Sequence, residues 1–310
     1  MVNASRAQLQ AQTERMRSLS EEVAARQAAV STGRRFARAS DDPAAARQAA
    51  TLTRRGAARQ DSLAGLEVAG QRLTAADATL GAVTDQIVRL RELALQARSD
   101  TADDGLKSAL AAEARELSAS VLRLMNGQDA SGTSLFAGAR ASAPAFARDA
   151  ATGAVRYQGF GEPDVIGSDD GTAVAAGFGG DRLLALPDGS SAFDLIDRFA
   201  AALTPPIDPA AALTPEERAT TLDATIAGAG ALVDQLASAR ASAGARLARI
   251  ETERDAINAE NQALVETRSA LTDADLAAEI TSMQRAMLLL DASRQTYAQV
   301  SRLSLFDQLR

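Results

Sequence analysis

Apolar positions recur along this chain at alternating steps of three and four, and only one central stretch breaks the rhythm. Such recurrence lines up side chains on one side of a helix and leaves the other side to water. The closing segment shows it well. Leu276, Ile280, Met283, Met287, Leu290 and Tyr297 predict one amphipathic helix from Thr272 to Arg310. Thr272 and Asp275 have the spacing of a capping box at its start. Leu303, Leu305, Phe306 and Leu309 crowd its end, where fraying is expected. A single stripe on so long a helix calls for a partner. The opening segment offers one: Val2, Leu9, Met16, Val23 and Val30 stand seven apart, with Leu19 between. Ser5, Gln12 and Arg26 occupy the other intermediate sites, so this heptad stripe is thin. A thin stripe is marginal alone and predicts a helix that folds only against others.

Between the two ends the pattern predicts a longer bundle. Ser31-Thr32-Gly33 closes the first helix, and Gly33-Arg34-Arg35 reads as a solvated basic turn. Asp42 can cap the next helix and Pro43 can open it, where a missing N–H costs nothing. Asp41 favours the same positive helix end. From Pro43 to about Ser99, Leu66, Leu73, Leu80 and Ile87 are seven apart, with Ala69, Ala76, Val83 and Leu90 in the companion sites. A helix that long would reach about 80 Å. A second helix, to about Met125, carries Leu106, Leu110, Leu117, Val121 and Leu124 and should fold back antiparallel. Thr214-Pro215-Glu216-Glu217 starts another long helix. Its seam is Leu222, Ile226, Ala229, Val233, Leu236, Ala243, Leu247, Ile250, Ile257 and Leu264, interrupted by Arg240, Arg254 and Asn261. A joint is expected near Arg268-Ser269.

The region that breaks the rhythm starts at Asn126-Gly127 and is rich in Gly and Pro. Short strand-like pieces are expected at Ala154–Phe160, Asp164–Ile166, Thr172–Phe178 and Arg182–Leu186, with turns at Asp170-Gly171 and Asp188-Gly189. Ser191 and Asp194 fit a capping box for a short helix through Leu203. Gly159-Phe160-Gly161 and Gly177-Phe178-Gly179-Gly180 complete no phosphate-binding signature and read as turns. The expected fold is mainly α: nested long helices, discontinuous terminal helices and a small inserted β-rich domain. The expected domains are 1–42 with 270–310, 43–135 with 214–269, and 136–213.

Composition narrows the function. The 310 residues are 46% hydrophobic and 24% charged, with formal charge −7. Aromatics make up only 3%, so thin, closely packed helix layers are favoured over a thick core. The acidic balance argues against a nucleic-acid partner. Absence of Cys and His removes disulfides, thiol chemistry and the usual zinc constellations. Asp41 and Asp42, two adjacent carboxylates without further oxygen ligands, make a weak metal site. No catalytic constellation, cofactor site or metal site is expected. No basic-then-apolar leader opens the chain and no run of eighteen apolar residues exists, so no membrane partner is expected. Thin terminal stripes are better buried by many copies side by side than by one chain, which points to self-association in a ring or helical lattice.

The motifs in order carry a resemblance. Ser31-Thr32-Gly33-Arg34-Arg35-Phe36, then Ser40-Asp41-Asp42-Pro43, open the chain. Arg91-Glu92-Leu93-Ala94 with Gln96-Ala97 follow. Next come Asn126, Gly132, Leu135-Phe136-Ala137-Gly138, Pro144 with Phe146, Gly153 and Tyr157-Gln158-Gly159. Ser304-Leu305-Phe306-Asp307 with Leu309 close it. Together they resemble the flagellin superfamily, and within it the hook-associated branch that joins hook to filament. The likeness covers most of 1–138 and 216–310; the chain from about Val165 matches nothing assignable. It implies a structural subunit and not an enzyme, secreted unfolded through the flagellar type III apparatus and located at the hook–filament junction. The implied neighbours are another hook-associated protein and flagellin, with an export chaperone on the C-terminal helix at Leu276–Leu290. The implied assembly interface comprises Val2, Leu9, Met16, Val23, Val30, Leu276, Ile280, Met283, Met287, Leu290, Tyr297, Leu303, Leu305 and Phe306. Thr32, Gly33, Asp41, Asp42, Pro43, Phe136 and Gly138 carry the family motif. A flagellin filament subunit and a non-flagellar coiled-coil secreted scaffold are the alternatives.

Overall fold

A computed structural model describes residues 2–99, 103–139, 142–161, 165–167, 173–205 and 212–308. The order of elements is α1 (Val2–Thr32), α2 (Pro43–Ala97), α3 (Asp104–Met125), β1 (Phe146–Arg148), β2 (Val155–Tyr157), β3 (Val165–Gly167), β4 (Ala173–Ala175), α4 (Gly180–Leu183), α5 (Ala192–Leu203), α6 (Pro215–Thr272) and α7 (Leu276–Gln308). The fold is mainly α, with long helices and a small β insertion. The chain divides into two compact units, Gln60–Ile257 and Met1–Arg59 with Asn258–Arg310.

In the first unit the heptad of α2 lies along the core. Leu66, Ala69, Leu73, Ala76, Leu80, Val83, Ile87 and Leu90 are all buried. Their steps of three and four keep the seam on one side, and the alanines let neighbouring backbones come close. Leu222, Thr225, Ala229, Leu232, Leu236, Ala243, Ile250 and Ile257 are the buried residues of α6. Ile226 and Val233, expected in that seam, are only half-buried, and Thr225 and Leu232 take the deeper places beside them. The two helices run antiparallel, tied by Arg254–Glu67 at 3.2 Å, Arg240–Asp77 at 3.0 Å and Arg98–Asp223. Arg240 and Arg254 therefore interrupt the seam as ion-pair partners along its edge. In α3, Leu110, Leu117 and Val121 are buried as expected, together with Ala111, Ala114 and Met125. Leu106, one turn inside the Asp103 cap, is exposed.

Aromatic side chains gather in the inserted domain. Six of the eight Phe residues fall between 136 and 199, so its core is built differently from the Ala–Leu seams. The β1–β2 hairpin was not expected to include Phe146–Arg148, yet Phe146 pairs with Tyr157 and Arg148 with Val155. Asp149 makes the turn by accepting from the Ala151 and Thr152 amides at 2.9 and 2.8 Å. The ring of Phe146 lies 5.3 Å from Tyr157 and 5.5 Å from Phe193. β3 pairs with β4 over Val165↔Ala175. The strands are shorter than expected, and Asp164, Asp170, Gly171 and Thr172 lie outside the described residues. Arg182–Leu186 is no strand. Residues 180–183 form the helical turn α4, and Leu183, Leu184 and Leu186 are all buried. Burial of the adjacent pair Leu183-Leu184 is incompatible with a strand that shows one face to water. The capping boxes expected at Ser191/Asp194 and Thr214/Glu217 are present.

In the second unit α1 packs antiparallel against α7. The helix break here needs correction. Thr272 ends α6 rather than capping α7, and its hydroxyl lies 3.0 Å from the Arg268 carbonyl. Asp275 is itself the cap: its Oδ1 accepts from the Ala277 and Ala278 amides, both at 3.1 Å. The joint thus falls at 273–275, a few residues beyond Arg268-Ser269. A carboxylate immediately before a helix satisfies orphan amides and complements the helix dipole, so Asp275 outcompetes Thr272 for that place.

Candidate assembly interface

The sequence motif at Thr32-Gly33 has a specific local task. Gly33 adopts φ +67, the left-handed conformation that ends a helix with no Cβ penalty, and its amide donates to Ala29 O at 2.9 Å. The chain then meets the α6–α7 joint. Arg35 N–H donates to Thr272 O at 2.8 Å and Ala274 N–H donates to Gly33 O at 2.9 Å. This two-bond bridge fixes where α1 and α7 begin to run side by side. Asp273 within it accepts from Ser269 Oγ at 2.5 Å and from Thr272 at 2.9 Å, which holds its carboxyl below the usual carboxylate range. Asp42 accepts from the Ala45 amide at 3.0 Å and from Arg35 at 3.1 Å. Asp41 accepts from the Arg38 amide at 2.9 Å. The Asp-Asp-Pro motif is a turn and cap, with Pro43 the first residue of α2.

Along the α1–α7 pair, Arg26 donates to both oxygens of Glu279, at 3.1 and 2.9 Å. That hydrogen bonding, together with the Glu279 charge, pushes the guanidinium pKa further up. The deepest residues of α7 are Ala286 and Leu290, and Met283 and Tyr297 are half-buried. On α1, Met16, Val23 and Val30 are half-buried. The seam on α7 is therefore Glu279–Met283–Ala286–Leu290–Ser293–Tyr297, in steps of four and three. Three members of the expected stripe lie off it. Leu276, Ile280 and Met287 are 47%, 39% and 40% exposed. Leu288 and Leu289, which periodicity did not single out, are 72% and 52% exposed. Seven-residue spacing, Met283–Leu290–Tyr297 with Ala286 between, was the available signal, but an alanine reads as filler until its neighbours are known. Side chains of Val2, Leu9, Leu303, Leu305 and Phe306 lie outside the described residues.

The remaining motif residues hold the base of the inserted domain. Phe136 is fully buried, and its carbonyl accepts from Gly180 N–H at 2.9 Å and from Tyr157 Oη at 3.1 Å. Gly138 has φ +62, and a Cβ there would stand 2.5 Å from Gly161 O and 2.7 Å from Phe160 O. Asn126 clamps the Phe146 backbone through both ends of its amide, at 2.9 and 2.8 Å. Asp129 pairs with Arg72 of α2 at 3.3 Å and accepts from Ser131 and Thr133. Burial pushes the Asp129 carboxyl up, but the Ser131 and Thr133 hydrogen bonds with the Arg72 charge bring it below the usual value. Among the described residues no group of three or more His, Cys, Asp or Glu could hold a metal ion, and no helix is long and apolar enough to cross a membrane.

Residues 2–141 match the bacterial flagellin N-terminal helical region, and residues 226–309 match the bacterial flagellin C-terminal helical region. The chain belongs to the bacterial flagellin family. The two matches bracket the inserted domain and take in α1 through α3 on one side and most of α6 with α7 on the other. Among curated relatives of this flagellin-family chain, flagellar hook-associated protein 3 of Escherichia coli is 29% identical over 291 residues, 89% of this chain and 90% of that protein. The Salmonella typhimurium protein of the same name is 28% identical over the same shares. Two solved structures support the fold. A hook-associated protein of Vibrio parahaemolyticus covers 75% of this chain and all of its own, with TM-score 0.66 at 18% identity. Hook-associated protein-3 of Legionella pneumophila covers 71% and 98%, with TM-score 0.63 at 15% identity.

Proposed function

We propose that this chain is the structural subunit that joins the hook of a bacterial flagellum to the flagellin filament. The observation that carries it is the near end-to-end likeness to hook-associated protein 3 in both chains at once, 89% and 90%. It works by helix packing rather than by chemistry. Copies set side by side cover the apolar residues that α7 leaves in water, chiefly Leu276, Ile280, Met287, Leu288 and Leu289. The rest of the expected interface, from Val2 to Val30 and from Met283 to Phe306, contributes through the α1–α7 pair and its ends. The terminal helices, 1–42 with 270–310, form the assembly part. The bundle 43–135 with 214–269 and the β-rich 136–213 complete the subunit. It is exported to the distal end of the hook, where a hook-associated protein and flagellin are its neighbours. An export chaperone covers the exposed row of α7 until then.

The test is deletion of the gene with localisation of the tagged product. Cells with complete hooks that shed unassembled flagellin, and a tag confined to the hook–filament junction, are the expected result. A tag distributed along the whole filament would make the chain a filament subunit. Intact flagella in the deletion strain, with no tag on them, would make it a secreted scaffold outside the flagellum.

A further inference from the structure

A cleft between α3, β1 and α5 gathers the charged side chains of Arg115, Arg148 and Asp197 without an ion pair among them. Arg115 and Ser118 lie on one face of α3, and Asp197, Ala200 and Ala201 on one face of α5; Arg148 of β1 completes the wall. The volume is about 500 Å³, inside the range of about 300–1,000 Å³ usual for small-molecule sites. Arg115 and Arg148 are exposed, so the cleft opens to water and a ligand can enter.

Neutral partners hold both guanidiniums in place. Arg115 Nη2 donates to Thr204 Oγ1 at 2.7 Å. Arg148 Nη1 donates to Gly153 O at 2.7 Å, and its Nη2 donates to the buried Ser118 Oγ at 3.3 Å. A guanidinium has five N–H donors, so each keeps several to offer. Asp197 is half-buried and accepts no hydrogen bond among the described residues. Burial pushes its carboxyl up from the ordinary value, and the Arg148 charge offsets only part of that. A desolvated acid beside charged neighbours in a cleft is the pattern of a binding site rather than of a packing contact.

We propose that this cleft binds an acidic amino acid, its two carboxylates set against Arg115 and Arg148 and its ammonium against Asp197. The charges decide the class. The walls carry two positive groups and one negative, and aspartate or glutamate carries the inverse set. A plain anion satisfies the arginines and leaves Asp197 uncompensated, while a plain cation meets two guanidiniums. The planar fork of a guanidinium matches a carboxylate. Ala200 and Ala201 leave room for the carbon chain between the charged ends. A ligand so placed ties α3, β1 and α5 together. All of these residues belong to the unit Gln60–Ile257, so the site depends neither on the terminal helices nor on the junction role.

Calorimetric titration of the purified full chain with L-glutamate and L-aspartate tests this, beside glutarate, which lacks the ammonium. One saturable site for glutamate or aspartate is expected, with a raised melting temperature at saturation. Glutarate should bind about ten- to a hundredfold more weakly, because it leaves Asp197 without a cation. Asp197→Asn should remove that preference by weakening glutamate and sparing glutarate, and Arg115→Ala should weaken both. Equal affinity for glutarate and glutamate would overturn the inference, as would no saturable binding of either amino acid at millimolar concentration. Glutamate binding that survives both Asp197→Asn and Arg115→Ala takes place elsewhere and overturns it too. Circular dichroism checks the fold of each variant, and where one does not fold, the glutamate–glutarate comparison in the unaltered chain still decides.

Discussion

Aspartate substitutions along α7 should separate two kinds of apolar residue. Leu290 is 7% exposed and Leu288 is 72% exposed, on different faces of one helix. Fully burying a leucine is worth about 1.5–3 kcal/mol. Leu290 has already realised nearly all of this within the subunit, whereas Leu288 has realised about a quarter. Leu290→Asp should therefore loosen the α1–α7 pair in the isolated subunit by about 3 kcal/mol or more once a carboxylate is pressed into the seam. Leu288→Asp should cost the isolated subunit less than about 1 kcal/mol. In the assembled state the exposed residues count as well. Leu276, Ile280, Met287, Leu288 and Leu289 together hold about two and a half side chains' worth of uncovered surface, about 4–7 kcal/mol per subunit if neighbours cover it all.

Hydrogen exchange of α1 and α7 in purified subunit measures the first effect, and swimming with immunoblots of isolated flagella measures the second. Leu288→Asp should leave exchange unchanged and abolish incorporation. Leu290→Asp should speed exchange in both helices and abolish incorporation as well. Ile280→Asp and Met287→Asp should fall between them on exchange, since each is about 40% exposed. Wild-type swimming by Leu288→Asp would refute the idea that the exposed row is an assembly surface.

Other consequences follow from the joints. Leu80→Ala, in the fully buried seam of α2, should destabilise the subunit by about 2–5 kcal/mol in urea unfolding. Gly138→Ala should prevent the inserted domain from closing, visible as lost near-ultraviolet ellipticity, because its Cβ meets two carbonyl oxygens. Gly33→Ala, with open space around it, should cost only about 1–2 kcal/mol of left-handed strain, read as faster proteolysis of the terminal helices. Asp129, whose carboxyl is held below its ordinary value, contributes stability that is present above the unfolded pKa near 4 and lost as pH falls through the folded value. Asp129→Asn should remove that part of the acid dependence in thermal melts taken below about pH 4.

The α2 heptad was legible residue by residue because nothing competes with it: one apolar face, and alanines that permit close approach of the neighbouring helices. The α7 seam was less so. Six apolar residues in the right spacing could lie on either of two adjacent faces, and the choice depends on Ala286, whose small side chain carries little pattern of its own. The cap at Asp275 was hidden for another reason. Thr272 and Asp275 satisfy the capping-box spacing, but Thr272 is claimed by the last turn of α6, and no local rule announces where the preceding helix will stop. In the inserted domain, Phe146–Arg148 pairs with a strand nine residues away through a turn made by Asp149, and Arg182–Leu186 is buried on more than one side. Short segments of this kind take their form from tertiary contacts rather than from propensity.

The half-covered state of α7 has a consequence for when it orders. A thin stripe on α1 and a seam built on Ala286 and Leu290 give the terminal pair few large contacts for two helices of 31 and 33 residues. Helices held by so little apolar surface are marginal on their own. The bridge between Gly33 and Thr272 sets their register without adding much burial, and the Arg26–Glu279 pair, with Arg26 partly in water, adds less than a buried contact would. The register is thus fixed at one end by specific bonds, while most of the length depends on what lies alongside. A chain built so can remain open during export and close when neighbours supply the missing surface. Adding apolar burial within the pair, for example by Ala286→Leu with the facing residue reduced, would weaken that dependence and should slow export while making the free subunit more resistant to protease.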